Sequence, residues 1–227
     1  MKTKKLIHYG AMALGAASLA FLATCGGGEK DSLSIQGNPL APSASVPPSA
    51  PEVSAVLSSE EIAGLKFMRE EEKLAHDVYL ALSFWPRDVF KNIAESETTH
   101  TETILGLLTK YGVADPAAGK AEGVFENPDL QALYDTLIFE GKKGLINALN
   151  VGALIEETDI HDIEVHKAIT KQTDILKVYN SLLCGSRNHL RAFAENLVAE
   201  GAPYEATEID QTVWDAIANT PFEKCAQ

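Results

Sequence analysis

The chain has 227 residues, and its 19 basic against 32 acidic side chains give a formal net charge of −13 at neutral pH. That much negative charge excludes a protein held to nucleic acid or to anionic lipid by its own surface. No glycine-rich phosphate loop, Ser/His/Asp ordering or Cys-x-x-Cys pair is present, which removes the commonest nucleotide, hydrolase and redox signatures.

Residues 1–25 read as an export signal. Lys2, Lys4 and Lys5 precede a short apolar run, Ala11 to Ala23, too short to span a bilayer. The run ends in Leu22-Ala23-Thr24-Cys25, which resembles the cleavage box of a bacterial lipoprotein with Cys25 as the lipidated residue. Thr24 is unusual before such a cysteine. The expected location is therefore exported and lipid-anchored, on the periplasmic side or the cell surface, and losing the three lysines takes the net charge to −16. Residues 26–56 are rich in Gly, Pro, Ser and Ala, cannot bury a core, and read as a flexible tether. What remains is enough for one well-buried domain.

Helical periodicity dominates that remainder, and strand-like alternation is nearly absent. The first helix opens at Ser58 with Glu61 three residues on, a capping box, and Trp85-Pro86 ends it. A second runs from about Arg87 to Lys110, stopped by Gly112. Asn127-Pro128 caps a short helix ending at Gly141 inside a long connection. A third long helix spans about Gly144 to His166, and a fourth runs from Thr170–Thr173 to Gly201. The prediction is an all-α, four-helix bundle over 57–201 with a long crossover between helices two and three. Residues 202–227 form a C-terminal tail with a short helix. Cys184 and Cys225 can pair across that tail, or Cys184 can be a buried free thiol.

Chemistry enters on the second helix. Phe90, Ile93, Ala94, Ile104, Leu107 and Leu108 mark a buried stripe, and Glu97 and His100 fall on it as neighbours three residues apart. Burying such a pair is costly unless its charge is compensated, and a metal ion compensates it. Glu72 shares the inner face of the first helix with Met68, Ala75 and Tyr79, while Glu70 and Glu71 are expected to face water. On the third helix the apolar stripe of Leu149, Ile160 and Ile163 selects Glu156. An internal echo of residues 71–78 in 156–163 selects Glu157 instead, so both stay open. Asp159 is an extra ligand or an outer acceptor. His189 points inward after Tyr179, Leu182 and Ser186. His76 and His161 face outward, and Arg187 and Arg191 are expected to pair with Asp77, Asp159 or Asp162, or elsewhere on the surface.

Phe90-x-x-x-Ala94-x-x-Glu97-x-x-His100, with Glu72 seven residues before Tyr79, resembles the first helix pair of rubrerythrin-type ferritin-like proteins. Three segments, 69–75, 155–160 and 185–191, resemble more closely a prokaryotic ferritin-like family of unassigned function. The resemblance implies two divalent metal ions, Fe or Mn, held by Glu72, Glu97, His100, one or both of Glu156 and Glu157, and His189, with Asp159, Ser186 and Tyr79 behind them. A redox-active site of that kind would bind Fe(II) and carry ferroxidase- or peroxidase-type chemistry. Ser186 departs from the pattern: it stands where the fourth helix should carry the glutamate of Glu-x-x-His, which weakens the expected site and leaves a full di-iron cycle in doubt. The alternative is a non-catalytic metal-binding or structural lipoprotein with a degenerate site. Expected partners are metal ions, a membrane reached only through the lipid anchor and, as one option, a second copy in a homodimer.

Overall fold

In a computed structural model the described residues are 56–225, and among them lie six helices and no strand. The export signal with Cys25, and the tether up to residue 55, lie outside the described residues. The helices are α1 (Ser59–Leu82), α2 (Val89–Tyr111), α3 (Pro128–Gly141), α4 (Leu145–Ile169), α5 (Thr173–Ala199) and α6 (Gln211–Ala218). None is long and apolar enough to cross a membrane.

Local chemistry sets the boundaries. Ser58 Oγ accepts from the Glu61 amide while Glu61 accepts from the Ser58 amide, so both halves of the capping box form. Gly112 ends α2 in the left-handed region at φ 66°, a conformation that glycine adopts without a Cβ penalty. Asn127 Oδ1 caps α3, and Pro128 occupies a first-turn position where no amide is needed.

The chief packing pairs are α1 with α2 and α4 with α5, and α1–α4 and α2–α5 contacts close the two pairs around one interior. Tyr79, Phe90, Phe193 and Tyr179 supply its largest fully buried side chains, with Leu65, Met68, Ile104 and Leu149 filling between them. Helix α3 lies on α1 and α4.

The acidic run at 70–72 departs from expectation, because all three glutamates are buried. Successive helical residues point about 100° apart, so the three carboxylates fan toward three different neighbours. Glu70 accepts the backbone amides of Glu126 and Asn127 and so pins the end of the crossover. Glu71 meets the α4 acids Asp162 and Asp159. Glu72 turns to the interior. Asp77 adds a second tie to the crossover by accepting the Gly123 amide at 2.8 Å, and Arg69 adds a third through Asp115.

Past α5 the chain wraps back over α4 and α5. Glu157 Oε1 takes the Thr207 amide and hydroxyl, each at 2.8 Å, and the Glu208 amide at 3.0 Å. Trp214 of α6 is buried against Tyr204, their rings 4.2 Å apart. Arg187 and Arg191 converge on Glu223, not on Asp77, Asp159 or Asp162, because the returning tail delivers that carboxylate to their side of α5. The Glu223 carboxyl is held down to about 2, first by its hydrogen bond to Arg187. Cys184 and Cys225 form a disulfide across a separation of 41 residues.

Loop-closure entropy assigns such a crosslink roughly 2–4 kcal/mol. Replacing both cysteines (Cys184→Ala with Cys225→Ala) should lower the midpoint of thermal unfolding by roughly 5–15 °C. Limited proteolysis should then clip the chain beyond Gly201 while the long helices stay intact. Unchanged protease resistance of that tail would show that Glu157, Arg187 and Arg191 hold it without the crosslink.

Candidate metal centre

Four helices each deliver side chains to the interior: Glu72 and Tyr79 from α1, Glu97 and His100 from α2, Glu156 and Asp159 from α4, and Ser186 and His189 from α5. All are buried. Glu97 stands at the middle. Its Oε1 lies 2.8 Å from His189 Nδ1 and its Oε2 lies 2.8 Å from His100 Nδ1, so one carboxylate spans both imidazoles. Each imidazole has a second acidic neighbour, Glu72 at 3.2 Å from His100 Nδ1 and Glu156 at 3.4 Å from His189 Nδ1.

The rings stack with centroids 5.3 Å apart. His189 Nε2 is 2.9 Å from Ser96 Oγ, which leaves Nδ1 as the nitrogen that faces the carboxylates. His100 presses its Nε2 edge against α5, where a Cβ on Gly185 would come within 2.4 Å of it. Tyr79 donates to Glu156 Oε1 and lies 3.3 Å from Gly152 O. Ser186 Oγ bonds Asp159 Oδ2 and sits 2.9 Å from Leu182 O.

Several of these close contacts have the distance of a hydrogen bond without its direction. Glu97 Oε2 and His189 Nδ1 have no aligned partner, and neither do Glu72 Oε1 and Asp159 Oδ1, although all four atoms are buried. Orphaned buried polar atoms are expensive. The ligand atoms of Glu97, His100 and His189 all lie within 4.8 Å of one another. Ligands about 2.1 Å from a common cation stand roughly 3–4 Å apart, so this donor set fits a bound metal ion and the orphaned atoms gain a partner from it.

Electrostatics agree. Burial pushes the Glu72 carboxyl up to about 7, against the pull of His100. Burial likewise raises Glu156 and, joined by the charges of Glu72 and Glu156, lifts Asp159 well above the usual carboxylate range. Burial pulls the imidazoles down, but Glu97 with Glu156 takes His189 up to about 10, and Glu97 with Glu72 takes His100 well up too. Glu97 itself overcomes its burial and is held well below the usual range by the two histidines. Without a cation, protons hold the centre together.

Of the two candidates on α4, Glu156 faces His189 and Glu157 faces the tail. The apolar stripe thus identifies the inward residue, and the echo in its 71/156 register does not. His76 is half-buried and bonds Asp77; His161 is exposed and bonds Asp162; neither approaches the centre. Sequence reading missed Ser96 and Gly185. Gly185 left a signal, a glycine in the interior of a helix where it costs about 1 kcal/mol relative to alanine, whereas Ser96 left none.

Residues 61–221 match the family described as an uncharacterised protein domain, DUF2202. The uncharacterised protein MJ0754 of Methanocaldococcus jannaschii is 45% identical over 169 residues, covering 74% of this chain and 91% of that protein. The crystal structure described as hypothetical protein MJ0754 from Methanococcus jannaschii matches with a TM-score of 0.72 at 43% identity, covering 79% of this chain and 100% of that one.

The protonated centre makes metal-free stability depend on pH in a defined direction. Histidines with raised values contribute fully below about 6.5 and lose that contribution as pH climbs toward about 10. Carboxyls with raised values penalise folding once pH passes their ordinary 4.5, up to about 7 for Glu72. Glu97 acts oppositely, but only below 4.5. Chelator-treated protein should therefore show a melting temperature that falls steadily between about pH 5 and 10. Metal-loaded protein should not, because ligation demands deprotonated groups. A flat profile for the metal-free protein would contradict the protonated centre.

Proposed function

The chain belongs to the DUF2202 family, and from its buried Glu/His/His group we propose that it is a ferritin-like protein whose centre holds two divalent cations, iron or manganese. The observation that carries this reading is Glu97, one carboxylate with an imidazole nitrogen 2.8 Å from each of its oxygens. A carboxylate so placed would hold two cations, with His100 and Glu72 as further ligands to one and His189 and Glu156 to the other. The long connection between α2 and α4, which carries α3, supports the ferritin-like topology. Mixed carboxylate and imidazole donors suit Fe and Mn better than softer metals.

Bound iron would supply electrons: two Fe(II) becoming two Fe(III) would give two electrons which, with two protons, take one peroxide to two waters or one dioxygen to peroxide. The chain's own residues hold the cations, orient them and exclude bulk water. Tyr79 fixes Glu156 and Ser96 fixes His189, which keeps both ligands turned inward. A non-catalytic centre that stiffens the helices is the second reading, favoured by the burial of every ligand. The leader Lys2 to Cys25 supports export and a lipid anchor at Cys25, which would place the centre outside the cytoplasm.

Anaerobic titration with Fe(II) or Mn(II) should give two equivalents per chain. Glu97→Ala should weaken uptake more than about 100-fold, since even partners behind a ligand are worth 10–100-fold. Unchanged uptake in Glu97→Ala would remove the bridging role. Mixing the Fe(II)-loaded protein with peroxide or dioxygen in the presence of excess Fe(II) as the electron source separates the two readings, since only a catalytic centre consumes more oxidant than its two bound irons can reduce.

For the anchor, Cys25→Ser should leave an unlipidated precursor that moves from the detergent phase to the aqueous phase on partition. Retention in detergent would defeat the lipid-anchor assignment.

A further inference from the structure

The two helix pairs supply the centre unequally at first sight. From α1 and α2 come Glu72-x-x-Ala75 and Glu97-x-x-His100; from α4 and α5 come Glu156-x-x-Asp159 and Ser186-x-x-His189. Position by position, Glu72 answers to Glu156, His100 to His189, Ala75 to Asp159 and Glu97 to Ser186. Each pair therefore still provides two carboxylates and one imidazole. In the first pair the second carboxylate stands on α2 opposite a small residue on α1. In the second pair it stands on α4 opposite a small residue on α5.

We propose that Asp159, steered by Ser186, is a direct cation ligand that replaces the glutamate missing from α5. This rests on the two-cation reading above. Ser186 Oγ holds Asp159 Oδ2 across the α4–α5 interface, while Asp159 Oδ1 is buried with no hydrogen-bond partner. Glu72 Oε1, which belongs to the other helix pair, is orphaned in the same interior. Glu72, Glu156 and Glu97 all lie near enough to Asp159 for their charges to bear on it. Charge points the same way: four carboxylates balance two divalent cations when both imidazoles are neutral, and three do not. Aspartate is one methylene shorter than glutamate, and Ser186 compensates by fixing where its carboxylate points.

The roles of Ser186 and Asp159 make opposite demands on stability and on binding. In the metal-free protein Asp159 is a buried, crowded acid, so Asp159→Asn should raise the melting temperature while weakening one of two Fe(II) or Mn(II) equivalents at least tenfold. Asp159→Ala should also lose that equivalent. The double variant Asp159→Ala with Ser186→Glu returns the carboxylate to α5 and should regain it. A merely structural Asp159 would not be rescued from another helix.

The test is anaerobic titration of Fe(II), and separately Mn(II), into chelator-treated wild type and the three variants, with thermal melts of each metal-free sample. Two equivalents in wild type, one in each single variant and two in the double variant support the assignment. Two equivalents at unchanged affinity in Asp159→Asn overturn it and leave the Glu97-centred reading intact. Failure of the double variant to regain the lost equivalent, with its helices folded by circular dichroism, also overturns it. A wild type that takes up neither cation overturns the metal reading and this assignment together.

Discussion

The interior is organised by one carboxylate lying between two imidazoles. Glu97 can meet His100 on its own helix, one turn on, but it reaches His189 only if α2 is held against α5 in a single register. Removing a carboxylate from water costs several kcal/mol even after relaxation. An uncompensated Glu97 would therefore oppose the burial of the aromatic and aliphatic side chains around it. Two positive partners reverse that balance, and the same contact that answers the charge also sets which faces of the four long helices turn inward.

Around that contact lie supports that make the geometry rigid. Tyr79 fixes Glu156, Ser96 fixes His189 and Ser186 fixes Asp159, each through a hydroxyl. A hydroxyl carries one proton, so Ser186 serves either Asp159 or Leu182 O at a given moment. With Asp159 protonated, the acid donates to Ser186 and Ser186 donates to the carbonyl. With Asp159 ionised, Ser186 turns its proton to the carboxylate. The same pair accommodates both states of the acid without moving a helix.

Much of this is legible in the amino-acid sequence because the signals are local. The capping box at Ser58, the left-handed stop at Gly112 and the Asn127-Pro128 start mark helix ends to within one or two residues. Glu97 and His100 stand out because an apolar stripe frames them. The unread part belongs to long-range packing. Glu70 and Glu71 look solvated until the crossover and α4 cover them. Glu157 looks equivalent to Glu156 until a tail fifty residues away presents its amides. Arg187 and Arg191 look set to pair with Asp77, Asp159 or Asp162 until the chain returns with Glu223. The periodicity of α4 and α5 does not record where that tail goes: its own apolar residues, Trp214 and Ile217, show that it packs somewhere, while the polar contacts that fix its path are made by Glu157, Arg187 and Arg191.

Gly185 has a consequence for recognising this centre in other sequences. The imidazole of His100 occupies the volume a methyl group would need, so any β-carbon there competes directly with the ring. The two positions, 85 residues apart in sequence, are thus a single steric unit spread over two helices. A related chain that keeps a histidine at the first should keep glycine at the second, and one that has gained a side chain at the second should have given up the ring. Covariation of that pair would separate relatives able to assemble this centre from those that retain only its scaffold, without any ligand carboxylate being compared.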